Sequence, residues 1–135
     1  MDYMKDRITE KRIENNLYKA VKCAEDFNRA FDFTPGSIKD LEDILDYYSE
    51  DIKIKALKEE QISNLSCIFG SYLGQVLLDQ RYKKEGYVRS KNTKSSFPIL
   101  KKDKVYISPI DKVYKRLILG PDENVQTYFQ ALINI

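Results

Sequence analysis

A long apolar stretch interrupted by two glycines constrains this chain more than any other feature. From Lys58 to Gln80 apolar residues recur at three- and four-residue steps, which is the spacing of a broad helical face. Gly70 and Gly74 lie on one side of that helix, and each costs roughly 1 kcal/mol relative to alanine. We therefore expect a central helix with a notch of bare backbone that receives the strand region which follows. Space for a ligand is an alternative use of the notch.

The remaining patterns predict helices before and after a small sheet in the order of the sequence. A helix is expected over residues 3–30, a second from Ser37, and two more near the C-terminus, the first opened by Ser108 and Pro109 and stopped by Gly120. Short apolar runs between turn signals predict an antiparallel meander. We expect one α+β domain over residues 1–135: N-terminal helices packed on a three-stranded antiparallel sheet, with two C-terminal helices. The strands are expected at residues 86–90, 97–100 and 105–107, with a loop at 92–96.

Local signals refine the N-terminal half. The first ten residues are polar and are expected to fray. Residues 31–34 alternate apolar and polar side chains, which favours a short extended segment before the turn at Pro35. Ser37 with an acid three residues later resembles a capping box. The acidic side chains of the helix that follows are expected to face outward: Asp40, Glu42, Asp43 and Asp46.

Charge is distributed unevenly along the chain. The net charge is +2, but residues 1–60 carry 11 basic and 15 acidic side chains, whereas residues 61–135 carry 12 basic and 6 acidic ones. The excess is densest over residues 81–104, with nine basic and two acidic side chains. Such a segment attracts phosphate or an acidic protein face, and a solvated lysine-rich turn has the same composition.

The absence of histidine excludes several kinds of site. Without it the chain has no Ser–His–Asp triad, no histidine general base and no histidine-ligated zinc. Cys23 and Cys67 lie in apolar helical patterns, which predicts reduced and buried thiols. No complete catalytic, cofactor or metal motif is found, and no signal peptide or membrane span is evident. We expect a cytoplasmic protein without a cofactor.

Residues 37–133 resemble a group of small, uncharacterised bacterial domains. The likeness lies in the helix Ser37–Leu45, in the segment Gly70–Val76, and in a Ser-Pro helix that ends Arg116-x-x-x-Gly120. The resemblance implies an α+β fold and carries no assigned activity. Some orphan domains of this size serve as immunity proteins beside toxins, which is an analogy. The chain departs from the group at two positions, with Tyr87 for a tryptophan and Gln75, which cannot ionise, for a glutamate.

The preferred hypothesis is a non-catalytic protein-interaction module, acting as an immunity or accessory protein. The ten tyrosines favour it, because a tyrosine at a protein interface can bury its ring while its hydroxyl stays in contact with water. Tyrosines that are half-buried at the edge of the core would explain the same count. The partner is expected to be another protein, with the chain itself a monomer or dimer. We place the contact surface in the groove beside Gly70 and Gly74, lined by Tyr72, Tyr87, Arg89 and Arg116.

Two other classes of function stay open. Nucleic-acid binding through residues 81–104 would combine lysines with stacking on Tyr82, Tyr87, Phe97 and Tyr106. An enzyme would need an acid–base pair or a nucleophile. The available candidates are Asp43 with Asp46, Asp122 with Glu123, and Cys67.

Overall fold

The computed structural model describes residues 2–91 and 97–134, with side chains from residue 10 onward. Within them the chain forms five α-helices and one three-stranded antiparallel sheet, which confirms the α+β class. A π-helical turn at Leu78–Tyr82 continues α3, and a 3-10 turn at Pro121–Glu123 precedes α5. The helices are α1 Asp2–Asp26, α2 Ser37–Lys53, α3 Glu59–Leu77, α4 Pro109–Leu119 and α5 Val125–Ile133; the strands are β1 Val88–Lys91, β2 Pro98–Lys102 and β3 Val105–Ile107.

Helix α3 is the centre of the fold, as its broad apolar face predicts. It packs against α1 and α4, while α2 packs against α4 and α5. Its central side chains have no exposed surface because neighbours cover them on several sides. These are Phe69, Tyr72, Leu73, Val76 and Leu77.

The glycine notch of α3 receives mainly the first turn of α4. A Cβ built on Gly70 would lie 2.5 Å from the Cα of Ile110, so only glycine allows this approach. A Cβ on Gly74 would meet Pro109 at 3.5 Å and Nη1 of Arg89 at 3.4 Å. The prediction of close packing is confirmed, but the strands fill the notch only in part: α4 covers Gly70, and β1 contributes the side chain of Arg89 at Gly74. The chain leaves β3 through Ser108 and lays the first turn of α4 on α3, which leaves no ligand space at Gly70.

The register of the sheet gives it two chemically different faces. Val88 pairs with Lys101, and Lys101 pairs with Tyr106, so these three side chains form one row across the strands on the solvent side. The neighbouring row, made by Arg89, Leu100 and Ile107, faces the core. Strand order β1-β2-β3 is that of a meander, as expected.

The segment before α2 is a loop, not the expected extended run. Phe33 has a φ of +64° and donates its N–H to the hydroxyl of Tyr72 at 2.9 Å. Ser37 begins α2 but does not cap it, because Gly36 occupies the cap position. The Ser37 hydroxyl instead donates to the carbonyl of Thr34 at 2.7 Å. A core tyrosine thus holds this turn through bonds that sequence alternation does not encode.

The C-terminal helices begin and end close to the expected signals. Ser108 precedes Pro109 at the first turn of α4, and Gly120 follows α4 with a φ of +94°. Helix α5 begins later than Asp122 or Glu123, because Asn124 accepts a hydrogen bond from the N–H of Thr127 at 3.0 Å and caps it. The expected loop at 92–96 lies outside the described residues, and the expected fraying falls mainly on residues 1–9, whose side chains are not described.

Candidate functional site

Tyr72, one of the four residues expected to contact a partner, is buried. None of its surface is exposed, and its ring stacks on Phe31 at a centroid distance of 4.3 Å. Its hydroxyl shares a hydrogen bond of 2.7 Å with Ser37. Burial raises the pKa of Tyr72. A partner cannot reach this side chain in the folded chain, so its assignment to a contact surface is corrected.

Arg116, a second expected contact residue, is 1% exposed and belongs to a buried ion pair. Its Nε and Nη2 donate to the carboxylate of Glu42, the shortest bond being 2.7 Å, and Nη2 also donates to Asp46 at 2.6 Å. Burial alone would lower the pKa of Arg116, but the bonds to the two carboxylates outweigh it and raise that pKa. Glu42 was expected to face solvent and is instead buried, since it also accepts from the N–H of Val125 at 3.0 Å.

Tyr87 and Arg89, the other two expected contact residues, line one cleft. The cleft lies between α1 and the start of β1 and has a volume of about 540 Å³. Tyr87 meets Tyr82 edge to face at a centroid distance of 4.9 Å and is half-buried. The cleft is lined by Glu10, Ile13, Glu14, Leu17, Gln75, Leu78, Lys83, Tyr87, Val88 and Arg89.

The guanidinium of Arg89 lies over the bare backbone at Gly74. Its Nη2 donates to the carbonyl of Ser71 at 3.3 Å and to Oε1 of Gln75 at 2.9 Å, so both acceptors are neutral. Gln75 in turn donates to Asp79 at 2.8 Å. Burial lowers the pKa of Arg89 to about 10, because a cation loses hydration there.

The solvent side of the sheet exposes apolar surface beside lysines. Val88 is 62% exposed and Tyr106 is 59% exposed, and Lys101 lies between them in the register. Val105, at the end of β3, is also exposed, but it pairs with Lys102 and alternates onto the other face of the sheet, with Ile107. Sequence analysis found the basic segment but missed this row. The row depends on how three strands pair across two turns, which the sequence does not specify. The alternation of apolar and polar residues within each strand was the only sequence signal for it.

Six lysines of the sheet region are exposed and free of ion pairs within the described part of the chain. The ion pairs found there use other cations, among them Arg81 with Glu85. Lys101 lies in the row itself, whereas Lys91 and Lys102 alternate onto the other face. The sheet region as a whole is therefore rich in exposed positive charge, with Asp103 as an exposed acid in the turn before β3. The six are Lys83, Lys84, Lys91, Lys101, Lys102 and Lys104.

The aromatic residues expected to stack on nucleic acid are unequally accessible. Tyr82 is buried and donates its hydroxyl to the carbonyl of Leu132 at 2.9 Å. Tyr87 and Phe97 are half-buried, which leaves Tyr106 as the one exposed ring of the four. A single exposed ring does not form a stacking platform for successive bases.

Three of the four candidate catalytic carboxylates form ion pairs, and the fourth, Asp122, is exposed. Asp43 pairs with Arg29 at 3.1 Å, and Asp46 pairs with Arg116. Glu123 pairs with Lys112, which lowers the pKa of that carboxyl. Burial raises the pKa of the Cys67 thiol, which disfavours the thiolate. Cys23 and Cys67 are both free thiols and half-buried.

Two further kinds of feature are absent from the described part of the chain. Among the side chains of residues 10–91 and 97–134, no three Asp, Glu or Cys groups come together in a way that would hold a metal ion. In the same part of the chain, no helix combines the length and the apolar character that crossing a membrane requires. Comparisons with protein-family models, curated proteins and solved structures gave no match to this chain.

Proposed function

We propose that the chain is a non-catalytic protein-interaction module that binds an acidic protein through the outer face of its sheet. The observation that carries this proposal is the row of Val88, Lys101 and Tyr106, which places exposed apolar side chains on both sides of an unpaired lysine in a lysine-rich region. Tyrosine is enriched at protein interfaces because its ring contributes contact area while its hydroxyl tolerates water.

The charge of the surface specifies the partner's chemistry. Lysines around an apolar centre attract and orient a partner that carries carboxylates, and they repel a basic one. Tyr106 would be the anchor, because it is large, exposed and adjacent to Lys101 in the register. The buried pair Arg116 with Glu42 would support this surface only indirectly, by holding α4 against α2.

The partner can be tested for by photo-crosslinking in the cells from which the chain comes. A photoreactive phenylalanine analogue replaces Tyr106 in one variant and Tyr47 in another. Tyr47 is a matched control, since it lies on α2 and is 55% exposed against 59% for Tyr106. We expect one discrete adduct from position 106 that resists nuclease and is digested by protease, and no such adduct from position 47.

Other outcomes of the crosslinking contradict the proposal. A nuclease-sensitive adduct at position 106 would replace the protein partner with a nucleic acid. Equal labelling from both positions would mean that the sheet face has no selective partner. The absence of any adduct from position 106 would remove the assigned surface.

A further inference from the structure

The cleft between α1 and β1 contains a half-buried cation, Arg89, that forms no ion pair with the described residues. Arg89 makes its two described bonds through Nη2 to neutral oxygens, and its Nε and Nη1 have no acceptor among the described residues. This differs from Arg116, which is buried and has two carboxylate partners, although its Nη1 has no acceptor among the described residues. Partial burial costs the guanidinium hydration, and the exposed carboxylate of Asp79 acts on it only at a distance, without an ion pair. An anion that entered the cleft would therefore gain a charge-assisted contact.

The walls of the cleft are suited to an apolar body. Ile13 and Leu17 come from α1, and Leu78 comes from the π-helical turn, while Tyr87 contributes an aromatic edge. Lys83 adds a second positive charge at the exposed rim. A volume of about 540 Å³ accommodates a small organic molecule.

Two carboxylates on α1 restrict how such a ligand can lie. Glu10 and Glu14 line the α1 side and are exposed, so water screens them, whereas Arg89 lies deeper against Gly74. An acid group is favoured at the Arg89 end and disfavoured near the two glutamates. The ligand's negative charge therefore lies at the Arg89 end of the cleft, and its uncharged body lies along Leu17 and Tyr87.

From this arrangement we infer that the cleft is a binding site for a small organic monocarboxylate with an apolar body, held by Arg89. The carboxylate accepts hydrogen bonds from the guanidinium, and the body packs against the apolar wall. The inference does not depend on the proposed function, because Arg89 and the apolar wall would hold the ligand, whereas Lys101 and Tyr106 of the outer row do not line the cleft; Val88 borders both.

The test is an NMR titration of the full chain with 3-phenylpropanoate, compared with its neutral amide and with 3-phenylpropylamine. We expect saturable shifts at the amides of Leu78, Tyr87 and Arg89, with binding in the millimolar range or tighter. Binding of the amide should be roughly tenfold weaker, since it lacks the charge. No shift with the acid, or equal affinity for acid and amide, would overturn the assignment.

Two variants and one control locate the site. Arg89→Gln removes the cation, and Leu17→Glu places a carboxylate on the apolar wall without altering Arg89; either should reduce binding of the acid about tenfold. Lys19→Gln removes an exposed lysine of α1 and should leave binding unchanged. Circular dichroism establishes that each variant is folded, and Leu17→Glu still decides the question if Arg89→Gln does not fold. Undiminished binding in a folded Leu17→Glu variant would contradict the inference.

Discussion

Arg116 and Glu42 form a buried ion pair across 74 positions of the sequence, with Nη2 of the arginine 2.7 Å from Oε2 of the glutamate. The pair joins α4 to α2, and the same carboxylate accepts from the first N–H of α5. Three helices therefore meet at one charged group in the interior.

Removing the charge of Glu42 should destabilise the fold strongly. Glu42→Gln leaves Arg116 buried with a weaker set of acceptors, and breaking a buried pair on one side costs about 3 kcal/mol or more. Urea unfolding measures the effect. Asp46→Asn is the control: its side chain is 53% exposed, so the loss should stay below about 1 kcal/mol. Equal losses in the two variants would mean that the Glu42 pair is not the junction of the helices.

The two glycines of α3 should differ in their tolerance of alanine. Gly70→Ala sets a Cβ 2.5 Å from the backbone of Ile110 and should cost about 2 kcal/mol or more, because α4 has to move. Gly74→Ala meets the movable end of Arg89 at 3.4 Å, and its gain in helix propensity of about 1 kcal/mol offsets much of the strain. In thermal unfolding, the melting temperature of Gly70→Ala should lie well below that of Gly74→Ala. The reverse order of melting temperatures would refute the close approach of α4.

The hydroxyl of Tyr72 should contribute to stability from the core. Tyr72→Phe leaves the N–H of Phe33 without its acceptor and removes the bond to Ser37, a loss of about 1–3 kcal/mol. Tyr106→Phe deletes an exposed hydroxyl and should change the free energy of unfolding by less than about 0.5 kcal/mol. Similar values for the two variants would place the Tyr72 hydroxyl outside any buried network.

Alkaline stability should depend on Tyr128. Burial raises its pKa to about 12 in the folded chain, with smaller contributions from Tyr82 and Asp111, and Lys112 lies 5.2 Å from its ring centre. The unfolded chain releases this proton near pH 10, so the stability contribution is full below pH 10 and is lost between pH 10 and about 12. Tyr128→Phe should therefore lose less stability than the wild type between pH 9 and 11. Parallel losses in the two proteins would contradict this assignment.

Sequence periodicity predicts elements well here because it reports how one helix or strand divides into two faces. The central helix, the meander and the Ser108–Pro109 helix start follow from such local signals. Periodicity does not report which element covers a given face. Gly70 and Gly74 predicted a close approach, but only the tertiary structure identifies Ile110 as the group that approaches.

The site was harder to predict for the same reason. Tyr72 and Arg116 were chosen as contact residues by their chemistry, and their burial depends on partners 35 and 74 positions away. Residue type gave no sign that Glu42 would neutralise Arg116 inside the core. The charge count did locate the basic segment correctly, because exposed lysines need no partner to stay at the surface.

The most direct test of the proposed interaction surface is the yield of the protein adduct from position 106. It is measured in crosslinking variants that also carry one lysine-to-glutamate substitution. Lys101→Glu lies next to Tyr106 in the sheet register and should reduce the yield severalfold, because it repels an acidic partner. Lys19→Glu reverses an exposed lysine on α1 and should leave the yield unchanged. An adduct that Lys101→Glu leaves intact, or that both reversals reduce equally, would contradict recognition through the outer face of the sheet.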